Sequence, residues 1–516
     1  MKKTKTIIAV FLSILIALIS VGCGEETEVK NIIYDSINTI KSLDPQLADE
    51  LFERELAFNL YEGLTRFDSD GELQLASADE CKVSKDGITY KFHIADDAVW
   101  SNGTPVTAYD FEFGIKKAFT KGLDAPYLHT LSPIKNAKAV MDGKKPISSL
   151  GVKASDNKNL KIKLEYKFEN FKELLATPIC SPCNEKFFKN SKGYYGLDKK
   201  HVITNGNYYI DDWNDSYCTL KPKNKSNSTV YIYFNDYDKI SEELKDGKTD
   251  YTVVPSSSLY NLKKSNIDIK TKIISDSVYT LLINKKSEFF NNDIIKAFMS
   301  TAKCNPNKEM LQYGVAKATS ILPDIIEGSD KVQYSESVDK YRKKARNLFL
   351  DGCETLEIER TYPTVTITYI KDEITEEILK DVAESWQSKL GVTVNTTPIE
   401  DKDTLTEIID SNEFDFCLIP ITAPDTSPFN YLRQFTSKSP ANYLGFKNSE
   451  YDKSIEKLGK ISSKKYTKQI ENTLKYLGDY QYKKILFTTS QVCCTPNDTK
   501  FSVNPKVKVT DYTSFK

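Results

Sequence analysis

Cysteine, histidine and carboxylate side chains carry most protein chemistry, and their placing in this chain argues against catalysis. Cys180-Ser181-Pro182-Cys183 has the spacing of a redox motif or of half a zinc site, and Cys493 and Cys494 are adjacent. No second pair of that spacing exists. His93, His129 and His201, the three histidines, are dispersed, so no four-ligand metal set can be assembled at a recognisable spacing. G-x-S-x-G, H-E-x-x-H and phosphate-loop patterns are missing, and no histidine is placed to activate a plausible Cys or Ser nucleophile. The expectation is a protein that is not an enzyme, with no catalytic residues, no cofactor, no metal, and cysteines serving as structural or idle thiols. With Cys23 set apart, nine remain, an odd number, so at least one is unpaired or bonded elsewhere.

At 516 residues, 40% hydrophobic and 28% charged, the chain is an ordinary globular sequence too long for one simple domain. Lys and Arg total 71 against 72 Asp and Glu, which leaves no basic excess to displace counterions from a polyanion, so nucleic acid is not a partner. A mean hydropathy of −0.45 is too polar for several membrane spans. Thirty Tyr and 25 Phe supply abundant aromatic surface, suited equally to strand packing and to stacking on a ligand.

The N-terminus reads as a processing segment. Lys2, Lys3 and Lys5 precede an apolar stretch over 7–21, and Gly22-Cys23 is followed by the polar run Gly24-Glu25-Glu26-Thr27-Glu28. The apolar run falls short of the ~20 residues that span a bilayer comfortably. A small residue before Cys23 suits a peptidase that cuts ahead of a lipidated cysteine, although Ser20 stands where bacterial lipoproteins usually show Leu. The expected products are a signal peptide over 1–22 and a tether over 23–30, with Cys23 as the lipid anchor on the outer face of a bacterial membrane. Processing leaves a net charge of −4.

Strands and helices alternate along the rest. Asn31-Ile32-Ile33-Tyr34 predicts a strand and 49–61 a helix, and 88–94 alternates as a half-buried strand. Thr107 with Asp110 predicts a capped helix start. Val365, Ile367 and Tyr369 alternate with threonines, and 378–390 recurs at helical spacing. Gly391 stops that helix, and Val392 and Val394 alternate again. This predicts a βαβ unit, followed by a helix over 404–411 and a strand over 414–421. The segment 240–247 followed by 250–255 repeats the order helix, glycine, strand. Such units build parallel sheets covered by helices, so the fold class is α/β.

Three runs together resemble a known family: Asn59-Leu60-Tyr61-Glu62-Gly63-Leu64-Thr65, then Asp86-Gly87-Ile88-Thr89-Tyr90, then Trp100-Ser101-Asn102-Gly103-Thr104-Pro105-Val106-Thr107. Gly143-Lys144-Lys145-Pro146-Ile147, Thr204-Asn205-Gly206-Asn207-Tyr208-Tyr209, Leu282-Ile283-Asn284 and Phe414-Asp415 follow in the same order. The chain resembles family 5 extracellular solute-binding proteins, the oligopeptide and dipeptide receptors of ABC importers, from about residue 31 to its end.

The resemblance implies a two-lobed periplasmic-binding-protein clamshell with an extra small domain, its lobes joined by crossing strands. Residues 31–60, 196–277 and 485–516 would form the first lobe, 61–195 the small domain, and 278–484 the second lobe. It implies a monomer that encloses a peptide or small solute by hinge closure and hands it to ABC permease subunits. A sensory or degenerate receptor with a non-peptide ligand is the alternative, and an exported hydrolase the reading that the missing motifs disfavour. In the oligopeptide branch an Arg, a Trp and an Asp follow the Phe-Asp pair, the Asp receiving the peptide ammonium. Laid on Phe414-Asp415 and Pro428, that frame puts Leu418, Ile421 and Pro424 at those places, so all three side chains are replaced. Asp425, one residue further, becomes the candidate ammonium partner. Phe52 and Glu53 fall where the family presents its backbone to the ligand, Tyr279 and Asn284 lie on the strand entering the second lobe, and Arg433 is a further candidate for a ligand carboxylate.

If Cys23 carries the anchor, Cys23→Ala leaves either uncleaved precursor or protein shed into the medium. Fractionation followed by mass determination of the N-terminus tests this, and processed mutant retained on membranes would contradict it.

Overall fold

Two strands of unusual length organise the molecule. Lys270–Ile283 has 14 residues and Lys483–Thr495 has 13, and both are rich in the Ile, Leu, Val, Thr and Tyr that fit a pleated, buried surface. They pair antiparallel along most of their length, with the register slipping between Ile274 and Ser277 and again between Tyr279 and Thr280. In this computed structural model, which describes residues 31–264, 269–358, 364–439, 441–461, 466–496 and 499–515, the two strands cross from one half of the fold to the other. The signal segment, the tether and Cys23 lie outside the described residues.

On one side of the crossing pair the sheet continues through Phe416–Thr422, Thr364–Ile370 and Thr393–Ile399. On the other it continues through Tyr251–Pro255, Ile32–Ser36, Val230–Phe234, Tyr217–Pro222 and Tyr208–Trp213, giving eleven strands in all with the short Ala316–Lys317. Thr364–Ile370 runs parallel to both its neighbours, as does Ile32–Ser36. The βαβ unit is present: Glu373–Leu390 links the two parallel strands, and Gly391 ends it at φ +75°, a conformation that costs glycine nothing. The expected boundary at 277/278 falls inside a continuous strand, between its two slips in register.

The second lobe has its own core around Trp386, which packs against Phe298 and Phe416 at ring separations of 4.8 and 4.6 Å and donates its indole N–H to the Phe298 carbonyl. A separate antiparallel sheet, in the order Ala78–Val83, Thr89–Ile94, Asn159–Lys163, Val152–Ala154, builds the small domain. Its helix Ala108–Lys117 starts at the expected Thr107–Asp110 capping box. Lys117 from that helix forms a buried ion pair with Asp44, tying the small domain to the first lobe. All nine cysteines among the described residues are free thiols, eight of them buried. Burial raises Cys180 and Cys183 to about 12, which keeps them as unreactive thiols.

Two boundaries differ from the sequence reading for local reasons. The expected helix over 49–61 is Leu51–Leu60, because Glu50 and Glu53 form a reciprocal capping box that sets its start, and a separate 3-10 turn occupies Pro45–Leu47. The strand expected from 414 begins at Phe416, because the Phe414 carbonyl accepts from Asn284 and the Asp415 carboxylate accepts from the Thr366 N–H.

The helix Leu51–Leu60 is positioned from its far end by Gly206, in the Thr204–Asn205–Gly206 turn. The Gly206 N–H donates to the Leu60 carbonyl at 2.8 Å, and a Cβ there would sit 2.5 Å from the Leu60 carbonyl carbon. Gly206→Ala must therefore push the helix or the turn aside, at a cost of ~1–3 kcal/mol. The urea midpoint of unfolding should drop accordingly, and an unchanged midpoint would show that the contact relaxes freely.

Candidate functional site

A cleft between the lobes holds about 600 Å³ of space free of protein atoms, open solvent at its mouth included. Arg54 and Phe58 of the helix Leu51–Leu60 form one wall, Tyr127 and Leu174 of the small domain a second, and Pro424 and Asp425 of the second lobe a third. Val507 and Val509 close it from the C-terminal segment. An adjoining cleft of about 480 Å³ shares Leu174, Asp425 and Asn430 and adds Glu173, Glu327 and Lys506. Among the described residues, Arg54 is the only basic and Asp425 the only acidic side chain lining the main cleft.

The helix is held rigidly from behind. Glu55, 1% exposed, accepts from the Thr510 N–H at 3.0 Å and from the Tyr512 hydroxyl at 3.0 Å, and the Tyr251 hydroxyl reaches it at 3.3 Å. Asn59, one turn on, donates to the Thr510 carbonyl and accepts from the Tyr512 N–H. The last strand and turn of the chain are thereby clipped to the back of the helix, while its front carries Arg54 into the cleft. Glu55 gains hydrogen bonds that favour its charge, yet burial outweighs them and raises its carboxyl to about 7.

Asp425 is half-buried. Its two oxygens accept from the Ser427 N–H at 2.7 Å and from the Asn430 side-chain amide at 2.6 Å, which fixes the start of the helix Pro428–Arg433. Burial raises its carboxyl, opposed by those two bonds and by the Arg54 charge. An ionised carboxylate has about four acceptor positions, so two remain for a ligand donor.

Of the other residues singled out in the sequence, Pro424 alone stands on the cleft wall among those described. Leu418 is 0% exposed within the second-lobe core, and Ile421 is buried on the same strand, so these positions are occupied by packing. Phe52 is buried against Tyr34, ring centroids 5.9 Å apart. Glu53 turns back to the Asp49 N–H at 3.0 Å as part of its own helix cap, and because the backbone there is helical its polar groups are spent internally. Tyr279 stacks on Phe487 at 4.5 Å. Asn284 donates to the Asn412 and Phe414 carbonyls, joining two segments of the second lobe. Arg433 lies over the Phe429 ring at 5.1 Å beside Tyr166, a contact between the second lobe and the small domain. Arg54 was the residue missed. Only six of the 71 basic residues are arginine, so one set between Glu53 and Glu55 in the expected helix was a readable signal.

The lobes are closed on one another. The Arg54 guanidinium donates to the Pro424 carbonyl across the cleft, Lys402 pairs with Asp49 at 2.8 Å, Lys438 with Asp142 at 2.8 Å, and Phe168 meets Phe429 at 4.9 Å. The Lys402 and Lys438 pairs are partly exposed and each worth little, so the buried Arg54 and Phe168–Phe429 contacts carry more of the closure than the ion pairs do.

A clamshell whose two lobes share crossing strands and enclose a cleft with one cation and one anion defines the class of two-lobed solute-binding proteins. The family model for bacterial extracellular solute-binding proteins, family 5 (middle), matches residues 70–443, and the chain belongs to that family. It is 26% identical over 483 residues to the oligopeptide-binding protein OppA of Bacillus subtilis, covering 88% of each chain. To the dipeptide-binding protein of Lactococcus lactis it is 27% identical over 491 residues, covering 88% and 87%. The structure of Listeria monocytogenes OppA bound to peptide superposes with a TM-score of 0.79 at 22% identity, over 95% of this chain and 99% of that one.

The Glu55 carboxyl makes stability depend on pH. Its folded value lies above the unfolded one, so between about 4.5 and 7 the folded state holds a proton that the unfolded state has lost. Stability should fall as pH rises through that window, by up to roughly 3 kcal/mol, and level off above it. Urea midpoints measured from pH 4.5 to 7.5 should show the decline; Glu55→Gln should flatten it above pH 6, below which the buried Asp276 carboxyl, raised to about 6, adds a decline of its own, and an equally steep fall between pH 6 and 7.5 in the variant would assign the effect elsewhere.

Proposed function

We propose that this chain is the lipid-anchored, extracytoplasmic receptor of an ABC importer for short peptides, capturing them by closure of its two lobes and delivering them to the membrane permease. The observation that carries the reading is the interlobe cleft, walled by all three parts of the clamshell and offering one anion, Asp425, and one cation, Arg54, against an apolar lining. The names of the relatives as oligopeptide- and dipeptide-binding proteins support it. A receptor without catalytic groups agrees with the dispersed histidines and the unreactive thiols.

In this reading closure is rotation about the crossing strands near 274–277 and 489–491, where the register slips. The peptide ammonium is received by Asp425, which lines the main cleft and, with Glu173, the adjoining one. Burying that ammonium without an anion would cost several kcal/mol, so one of these carboxylates must be present if free N-termini bind.

The test is equilibrium dialysis of the processed chain against Val-Leu and Val-Leu-Leu, with small-angle scattering to follow closure. Retention with a decrease in the radius of gyration is expected. Asp425→Ala should weaken the free peptides by ~2–5 kcal/mol while leaving their N-acetyl forms unchanged. A chain that retains no peptide of either form would overturn the reading, and equal losses for both forms would remove Asp425 from its role.

A further inference from the structure

Arg54 is 5% exposed, and its guanidinium makes one hydrogen bond among the described residues, from Nη1 to the Pro424 carbonyl. Nε and Nη2 are buried without any partner. Leaving two charged N–H groups unsatisfied is costly, and structures rarely tolerate it outside a site that something else completes. The pair is also specific in kind. Nε and Nη2 form one edge of the planar guanidinium, the two-pronged edge that matches both oxygens of a carboxylate.

The surroundings do not satisfy that edge. Asp276, buried at the slip in the crossing strand, is held by the Ser277 hydroxyl, and burial raises its carboxyl to about 6 even with Arg54 in its field. Asp49 is paired with Lys402, and Asp425 with Ser427 and Asn430. Each nearby acid is thus engaged by another donor, while Arg54 lines the cleft itself. Beyond it the walls are apolar: Phe58, Leu174, Ile179, Val507 and Val509.

We propose that Arg54 is the anchor for a carboxylate on the bound ligand, taken by the Nε and Nη2 edge, with the ligand's apolar body laid against the wall from Phe58 to Val509. Resting on the peptide-receptor reading, the ligand class is a short apolar peptide with a free C-terminal carboxylate. The same arginine ties the second lobe through Pro424, so a ligand held on its free edge completes the hydrogen bonds of a residue that already spans the two lobes.

The experiment compares Val-Leu and Val-Leu-Leu with their C-terminal amides, and adds dodecanoate as a carboxylate without a peptide. Affinities are measured by calorimetry on the processed wild type, Arg54→Gln and Arg54→Lys. Wild type should prefer acid over amide by at least about tenfold, the effect of one charge-assisted contact. Arg54→Gln should bring the ratio near one, and Arg54→Lys, which keeps the charge but loses the fork, should fall between. Loss of the Pro424 contact alone would weaken acid and amide together, so the ratio isolates the anchor. Should Arg54→Gln fail to fold, the wild-type ratio and Arg54→Lys still decide. Equal binding of acid and amide by wild type, or a ratio unchanged in the variants, overturns the anchor and leaves the peptide reading standing. Retention of dodecanoate but of no peptide, lost in Arg54→Gln, upholds the anchor and overturns the peptide reading. Retention of none of the probes overturns both.

Discussion

The structure depends on two strands that belong to both lobes at once. Because Lys270–Ile283 and Lys483–Thr495 carry one hydrogen-bonded ladder from the first lobe into the second, neither lobe can separate from the other without breaking the sheet. The ladder is imperfect at the slips beside Ser277 and Thr280, where the proposed rotation of the lobes would be taken up. A covalent linker of the same length would leave the lobes free to tumble; a shared ladder holds the same two faces opposite one another. The interlobe cleft is therefore a reproducible site, although it is made from segments hundreds of residues apart.

The second constraint is the short helix Leu51–Leu60, which has a side packed on protein and a side facing the cleft, of opposite chemistry. Behind it, Glu55 and Asn59 take up the polar groups of 510–512, so every donor and acceptor in that contact is matched. In front, Arg54 is buried with most of its donors unmatched. A polar network satisfied on one face and left incomplete on the other concentrates the cost of desolvation in the cleft, where a ligand can relieve it. The buried acid at Asp276 and the tied carboxylate of Asp425 keep that face close to electrically balanced without completing the arginine's hydrogen bonds.

Much of the architecture was legible in the pattern of residues. Val365, Ile367 and Tyr369, the helix to Leu390, the stop at Gly391 and the strand after it were all read from period two, period 3.6 and one glycine, and local sterics are enough to enforce each. The Thr107–Asp110 cap was legible for the same reason. Family motifs placed the clamshell and its crossing strands. The site was read less well: Leu418, Ile421, Phe52, Tyr279 and Asn284 are side chains used for packing or for joining loops, and Arg54 was passed over. Strand periodicity says that alternate residues face opposite ways, but it does not say which face is core and which is cleft.

By itself the sequence determined the α/β class, the order of its units, the family and the absence of any recognisable catalytic motif, because these follow from contacts near in the chain or from motifs in a fixed order. Tertiary structure alone decided which charges meet. Arg54, Asp276 and Pro424 are brought together by a ladder and a helix clip that join residues more than two hundred positions apart, and whether a carboxylate is free, capped or paired depends on those distant neighbours. The scarcity of histidine argued against one kind of chemistry from the start; only the fold showed that Arg54 was left with an open edge.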